Sequence, residues 1–65
     1  MGVRWDYLDA GGRTMGRSEP FAERSAAEDW MGQAWEELAE QGVQEVELRD
    51  EKTGRTVYRM GLGPG

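Results

Sequence analysis

The apolar residues Ala27, Trp30, Met31, Ala34, Trp35 and Leu38 fall at i, i+3, i+4, i+7, i+8 and i+11, a spacing that winds them into one stripe along an α-helix. A helix of this kind must bury its stripe against another layer, and the segments on either side of it supply that layer as strands. Ser25 followed three residues later by Glu28 reads as a capping box, so the helix is expected to start at Ser25. Gly42 is placed to end it in the left-handed conformation, with Val43 folding back toward Leu38.

Ahead of the helix, Val3, Trp5 and Tyr7 alternate with Arg4, Asp6 and Leu8, the two-residue period of a half-buried strand. Asp9-Ala10-Gly11-Gly12 supplies a turn, and Arg13 to Ser18 reads as the returning strand, burying Met15. Glu19-Pro20 blocks continuation, and Phe21 is expected to pack under the helix start. Behind the helix, Val46 and Leu48 alternate with Glu45, Glu47 and Arg49, and Asp50 to Gly54 forms a second turn. The last strand, Arg55 to Leu62, places Thr56, Tyr58, Met60 and Leu62 on one side and Val57 and Arg59 on the other.

The expected fold class is therefore α+β in the order ββαββ, a four-stranded antiparallel sheet with one amphipathic helix packed on one face. Residues 1–62 form the single domain, and 63–65 are expected to be a flexible C-terminal tail. Trp5, Tyr7, Met15, Val46, Leu48, Tyr58 and Met60 should meet Trp30, Met31, Ala34 and Leu38. The opposite face should carry Arg4, Asp6, Glu45, Glu47, Arg49 and Arg59 as cross-strand ion pairs on a wet surface.

Composition narrows the chemistry. The 65 residues include neither cysteine nor histidine, which removes the thiolate nucleophile, the imidazole base and the usual zinc ligands. Carboxylates remain, but one helix on one sheet offers no evident cleft to separate their pKa values, so no catalytic, cofactor-binding or metal residue is expected. Apolar runs are too short for a signal peptide or a membrane span, and a cytoplasmic protein without membrane association is expected. Gly11 to Ser18 reads G-x-x-x-x-G-R-S, near a phosphate-binding loop, but Arg17 stands where that motif has lysine and no helix follows directly. A turn and a strand explain the stretch better.

The formal charge of −5 is local: Ser25 to Gln41 holds Glu28, Asp29, Glu36, Glu37 and Glu40 with no base, whereas acids and bases balance elsewhere. Asp29, Gln33, Glu36 and Glu40 project away from the apolar stripe. The ordinary reading is a solvated outer face, yet Glu36, Glu37 and Glu40 sit in the C-terminal half, where the helix dipole opposes negative charge. Trp30 and Trp35 lie about 140° apart around the helix, so both cannot point straight into one core. Either both pack the flanks, or Trp35 with Ala39 and Met31 forms a partly exposed patch that Gly32 lets a partner approach.

Arg4-Trp5-Asp6-Tyr7-Leu8-Asp9 with Gly11 or Gly12, Phe21, Ala27-Glu28-Asp29-Trp30-Met31-Gly32, Trp35, Gly42-Val43 and Val57-Tyr58 with Met60 and Leu62 together resemble a family of short uncharacterised proteins common in actinobacteria. The resemblance spans nearly the whole chain and implies a stand-alone domain without a transferable catalytic or binding residue. The leading expectation is a small acidic, non-enzymatic interaction or regulatory protein that engages a basic protein surface through Asp29, Gln33, Glu36, Glu40 and Trp35. Self-association as a homodimer is compatible with it, since exposed strand edges can pair. The alternative is a nucleic-acid-associated module using the arginine-bearing sheet. The low pI of about 4.6 makes nucleic acid the weaker partner.

Overall fold

A computed structural model describes residues 2–62; the tail expected at 63–65 lies outside the described residues. The elements are β1 (Val3–Leu8), β2 (Thr14–Arg17), α1 (Arg24–Glu40), β3 (Glu45–Asp50) and β4 (Thr56–Gly61). All neighbouring strands are antiparallel, in the order β2-β1-β3-β4, with the two hairpins joined side by side through β1 and β3. The α+β class and the ββαββ order are thus those read from the residue periods. Strand order was not legible, and it makes β2 and β4 the two edges.

Register explains the core. Trp5 faces Leu48 and Tyr7 faces Val46 across β1 and β3, while Leu48 faces Tyr58 and Val46 faces Met60 across β3 and β4. These positions alternate onto the helix side, where Trp5, Val46 and Leu48 are fully buried with Ala27 and Met31. The Trp5 indole Nε1–H donates to the Ala27 carbonyl oxygen at 2.9 Å, so the largest core side chain leaves no polar atom unsatisfied and fastens α1 over β1. Its ring also meets Tyr58 edge-on, centroids 5.9 Å apart.

The helix ends as expected. Gly42 has φ +98°, the Gly42 N–H donates to the Ala39 carbonyl and the Val43 N–H to the Leu38 carbonyl, both at 3.1 Å. This pair of bonds is the Schellman arrangement, and it turns Val43 into the core against Leu38. The other end differs. The helix begins at Arg24 with Glu23 as N-cap, and no side chain caps it. Ser25 lies inside the first turn, and Glu28 faces Arg24 and Tyr58 instead of closing a capping box. A charged and a phenolic donor outbid a backbone amide for that carboxylate.

Three further expectations are corrected. Tyr7 faces Gly16 but Leu8 faces Thr14, so Met15 is an extra residue in a β-bulge. Met15 is thereby carried toward Gly42 at the rim and stays 48% exposed, outside the core. Met60 does face the helix side, but α1 is seated over β1 and leaves Met60 36% exposed; Leu62 is the residue beyond β4 that is buried. Finally, the charged face is less wet than expected, because Asp6 and Glu47 are buried beneath arginines.

That charged layer follows from the register. Across β1 and β3, Arg4 faces Arg49 and Asp6 faces Glu47, so like charges stand directly opposite and opposite charges meet along and diagonally between these two strands, whereas across β3 and β4 Glu47 faces Arg59 directly. Arg4 Nε lies 3.1 Å from Asp6 Oδ1, and Arg49 Nε 3.2 Å from Asp6 Oδ2. Arg49 Nη2 donates to Glu47 Oε1 at 2.9 Å and Arg59 Nε to Glu47 Oε2 at 3.0 Å. The hydrogen bond from Arg49, helped by the charge of Arg59, holds the Glu47 carboxyl below the usual range against the opposing cost of burial. Three strands are laced together by two acids.

Candidate docking face along the helix and strand β4

Seating α1 over β1 closes one flank of the helix and opens the other. On the closed flank, Phe21 exchanges backbone hydrogen bonds with Val3 at 2.9 and 2.7 Å, extending the sheet edge beyond β2. Its ring lies 5.6 Å from that of Trp30, as expected of a residue packed under the helix start. A recess of about 430 Å³ remains there, rimmed by Tyr7, Arg17 and Glu19. Burial raises the Tyr7 phenol above its ordinary pKa, although Ser18 opposes the shift.

The open flank carries a larger groove, about 530 Å³, between α1 and β4. Met31, Gly32 and Trp35 form its helix wall, and Tyr58, Met60, Gly61 and Leu62 form its strand side. Trp35 is 42% exposed. At the helix N-terminal end the groove is closed by polar contacts: Glu28 Oε2 accepts from Arg24 Nε at 3.0 Å and from the Tyr58 hydroxyl at 2.9 Å. The Arg24 guanidinium also stands 4.8 Å above the Tyr58 ring. The hydrogen bond from Arg24, followed by that from Tyr58, lowers the Glu28 pKa; burial and the bond to Glu28 raise that of Tyr58.

Of the residues singled out from the sequence, Asp29, Gln33, Glu36 and Glu40 are all exposed and occupy the outward face of α1. None of these three acids, nor Glu37, makes an ion pair among the described residues, and the last helical turn contains no base. Trp35 lies on the adjoining flank toward β4. The patch imagined around it is composed differently: Met31 is fully buried, Ala39 is half-buried, and the exposed apolar neighbour is Met60. Glu28, Tyr58 and Gly61 were missed as groove residues. The i,i+4 spacing of Arg24 and Glu28 was the available signal for the first of them.

Gly32 is exposed at mid-helix, and a Cβ placed there would meet nothing within 4 Å; the same holds for Gly61 on β4. Neither glycine is required by its own fold for space or for a positive φ. Gly11 to Ser18 forms a turn and β2, with the Asp9 carboxylate accepting the Gly11 and Arg13 amides at 2.9 Å each. It builds no strand-to-helix phosphate loop.

Among the described residues, no three or more acidic, histidine or cysteine side chains are grouped to hold a metal, and no helix is long and apolar enough to cross a membrane. No known protein family, curated protein or solved structure matches the chain, so the reading of function rests on this geometry.

Proposed function

We propose that the protein is a non-enzymatic docking or regulatory domain of the cytoplasm that presents the outward face of α1, with Trp35 at its edge, to a basic protein surface. The observation that supports this is the contrast between paired and unpaired acids. Asp6 and Glu47 are neutralised by arginines on the sheet, whereas Asp29, Glu36, Glu37 and Glu40 make no ion pair among the described residues. A chain that can place arginines against acids leaves this cluster uncompensated, and two of its members, Glu37 and Glu40, lie in the last helical turn, where the dipole disfavours negative charge by roughly 0.3–1 kcal/mol per group. A cationic surface would remove that penalty on binding, and Trp35 would supply an apolar anchor beside it.

The same pairing counts against the nucleic-acid alternative. Arg4, Arg49 and Arg59 are engaged with Asp6, Glu47 and Glu51, so phosphate contacts would have to compete with existing ion pairs.

The test is affinity capture from the native host with wild type, Glu36→Lys/Glu40→Lys and Trp35→Ala. Partners retained by wild type should elute with moderate salt and be lost from both variants. Retention of the same proteins by the charge-reversed variant would sink the reading.

A further inference from the structure

The fastened flank keeps a cavity of its own. Where α1 crosses the first hairpin, three parts of the chain each contribute one ring to the recess of about 430 Å³: Tyr7 from β1, Phe21 from the connection and Trp30 from α1. All three are half-buried, packed against the core and bordering the recess. The Phe21 and Trp30 rings have centroids 5.6 Å apart and planes inclined at 45°, so together they form a corner. Gly16 stands opposite Tyr7, and a Cβ there would already lie 3.5 Å from the Tyr7 ring; glycine leaves that side of the ring uncovered by β2. The backbone bonds between Phe21 and Val3 hold the corner in place without a ligand.

Ring walls suit an apolar guest or an organic cation, and charge separates the two. Glu19 stands at the rim, and Glu23 and Glu37 lie seven residues either side of Trp30, on the same row of α1 and about 10 Å along its axis. None of these three acids makes an ion pair among the described residues. Arg17 is the base among the lining residues. It faces Asp6, whose carboxylate lies with Arg4 and Arg49 on the sheet face away from α1, so strand alternation carries the Arg17 side chain to that face. Among the described residues it makes no cation–π contact with the three rings, so their electron-rich faces are not already occupied by a cation of the protein.

We infer that this recess binds a small quaternary ammonium compound of the choline type, its methyl groups against Tyr7, Phe21 and Trp30 and its charge balanced by Glu19. A methylated ammonium suits the site better than a primary one, because it brings no N–H donors that ring walls would leave unsatisfied. The recess has room for the whole of such a molecule. The net charge of −5 draws cations toward the protein, and the acids nearest Trp30 add to that locally. This site is separate from the acidic docking face of α1, and either can fail without the other.

The test is a titration of the protein with choline chloride, followed by the Trp30 indole resonance and by the upfield ring-current shift of the ligand's own N-methyl protons. The comparison ligand is the neutral carbon isostere of choline, with a tert-butyl group in place of trimethylammonium. Choline should saturate with a Kd of about 1 mM, and the isostere should bind at least about tenfold more weakly. Trp30→Leu, which keeps an apolar wall, should abolish the shift of the N-methyl protons. Glu19→Gln should weaken binding about twofold to fivefold, and Arg17→Ala should leave it unchanged or tighter. The comparison of the two ligands needs only the wild-type chain, so it stands even if Trp30→Leu fails to fold. Equal binding of choline and its isostere would make the recess an apolar pocket, and loss of choline binding in Arg17→Ala would give the site to anions. Either result overturns the inference, as does the absence of a saturable shift. Binding of an Nε-trimethyllysine peptide without binding of choline would assign the rings to a protein side chain and overturn it equally.

Discussion

The two flanks of α1 are built from similar residues and end in opposite states. Each has a tryptophan from the helix, Trp30 on one side and Trp35 on the other, and each has a tyrosine from the sheet, Tyr7 or Tyr58. On the β2 side the connection before the helix returns to pair with Val3, and Phe21 fills the gap against Trp30. Among the described residues no segment returns on the β4 side. The four strands beneath can support a centred helix, but the Trp5 bond to Ala27 draws α1 over β1 and away from β4. One flank is fastened and the other is left accessible by the same contact, which is why exposure of Trp35 is a consequence of the packing of Trp5.

Removing that contact is the most severe way to break the contrast. Trp5→Ala deletes a fully buried ring together with its hydrogen bond, at a cost of roughly 3–5 kcal/mol, comparable with the whole stability of a domain this small. The expected outcome is a chain without a cooperative thermal transition. A sharp melt near that of wild type would mean that α1 is held by something other than this anchor.

Next in size is the layer under the sheet, which fixes the platform that both flanks share. Glu47→Gln keeps shape but removes the charge that Arg49 and Arg59 both engage, at a cost of about 1–3 kcal/mol. Because the folded Glu47 pKa lies below its ordinary value of 4.5, its contribution is complete above that value and is lost as pH falls through the folded one. Urea unfolding of wild type and variant should therefore differ at pH 7, and the gap should narrow as the pH is lowered below 4.5. A gap independent of pH would show that geometry, not charge, carries the effect.

The periods of the sequence reveal the helix, the strands and the two buried faces because each residue's side is set by local arithmetic alone. Gly42 and Gly54 are legible for the same reason, since φ of +98° and +74° is a local demand. What escapes is decided by competition between distant groups. Glu28 is within reach of the helix N-terminus, of Arg24 and, thirty residues away, of the Tyr58 hydroxyl; only the assembled sheet brings the last of these to 2.9 Å. Met15 reads as a core residue from its alternation, and one extra residue against β1 changes that. The acidic outward face of α1 was readable. The groove beside it was not, because it depends on strand order and on where the helix is seated.

Trp35 sharpens the comparison at smaller amplitude. Trp35→Ala should cost about 1 kcal/mol, well below a buried tryptophan, because 42% of it is already in water. The matched change on the fastened flank, Trp30→Ala, should cost more, since it also strips Phe21 of its ring partner. Thermal melts of the two variants side by side measure the asymmetry directly. Equal losses would mean that the flanks are equally packed and that exposure of Trp35 is superficial.

The smallest effect has the opposite sign and says most about why the open flank is open. A glycine in a helix interior costs about 0.5–1 kcal/mol relative to alanine, and at Gly32 the added Cβ meets no atom within 4 Å. Gly32→Ala should therefore stabilise the free protein by that amount, with a correspondingly higher Tm. The fold keeps a residue that weakens its own helix at a place where the helix touches nothing. If the variant gains stability yet loses the partners that wild type captures, the missing Cβ belongs to the occupant of the groove. If it gains stability and binds unchanged, the close approach over Gly32 is wrong, and contact on that flank is left to Trp35 and the acids.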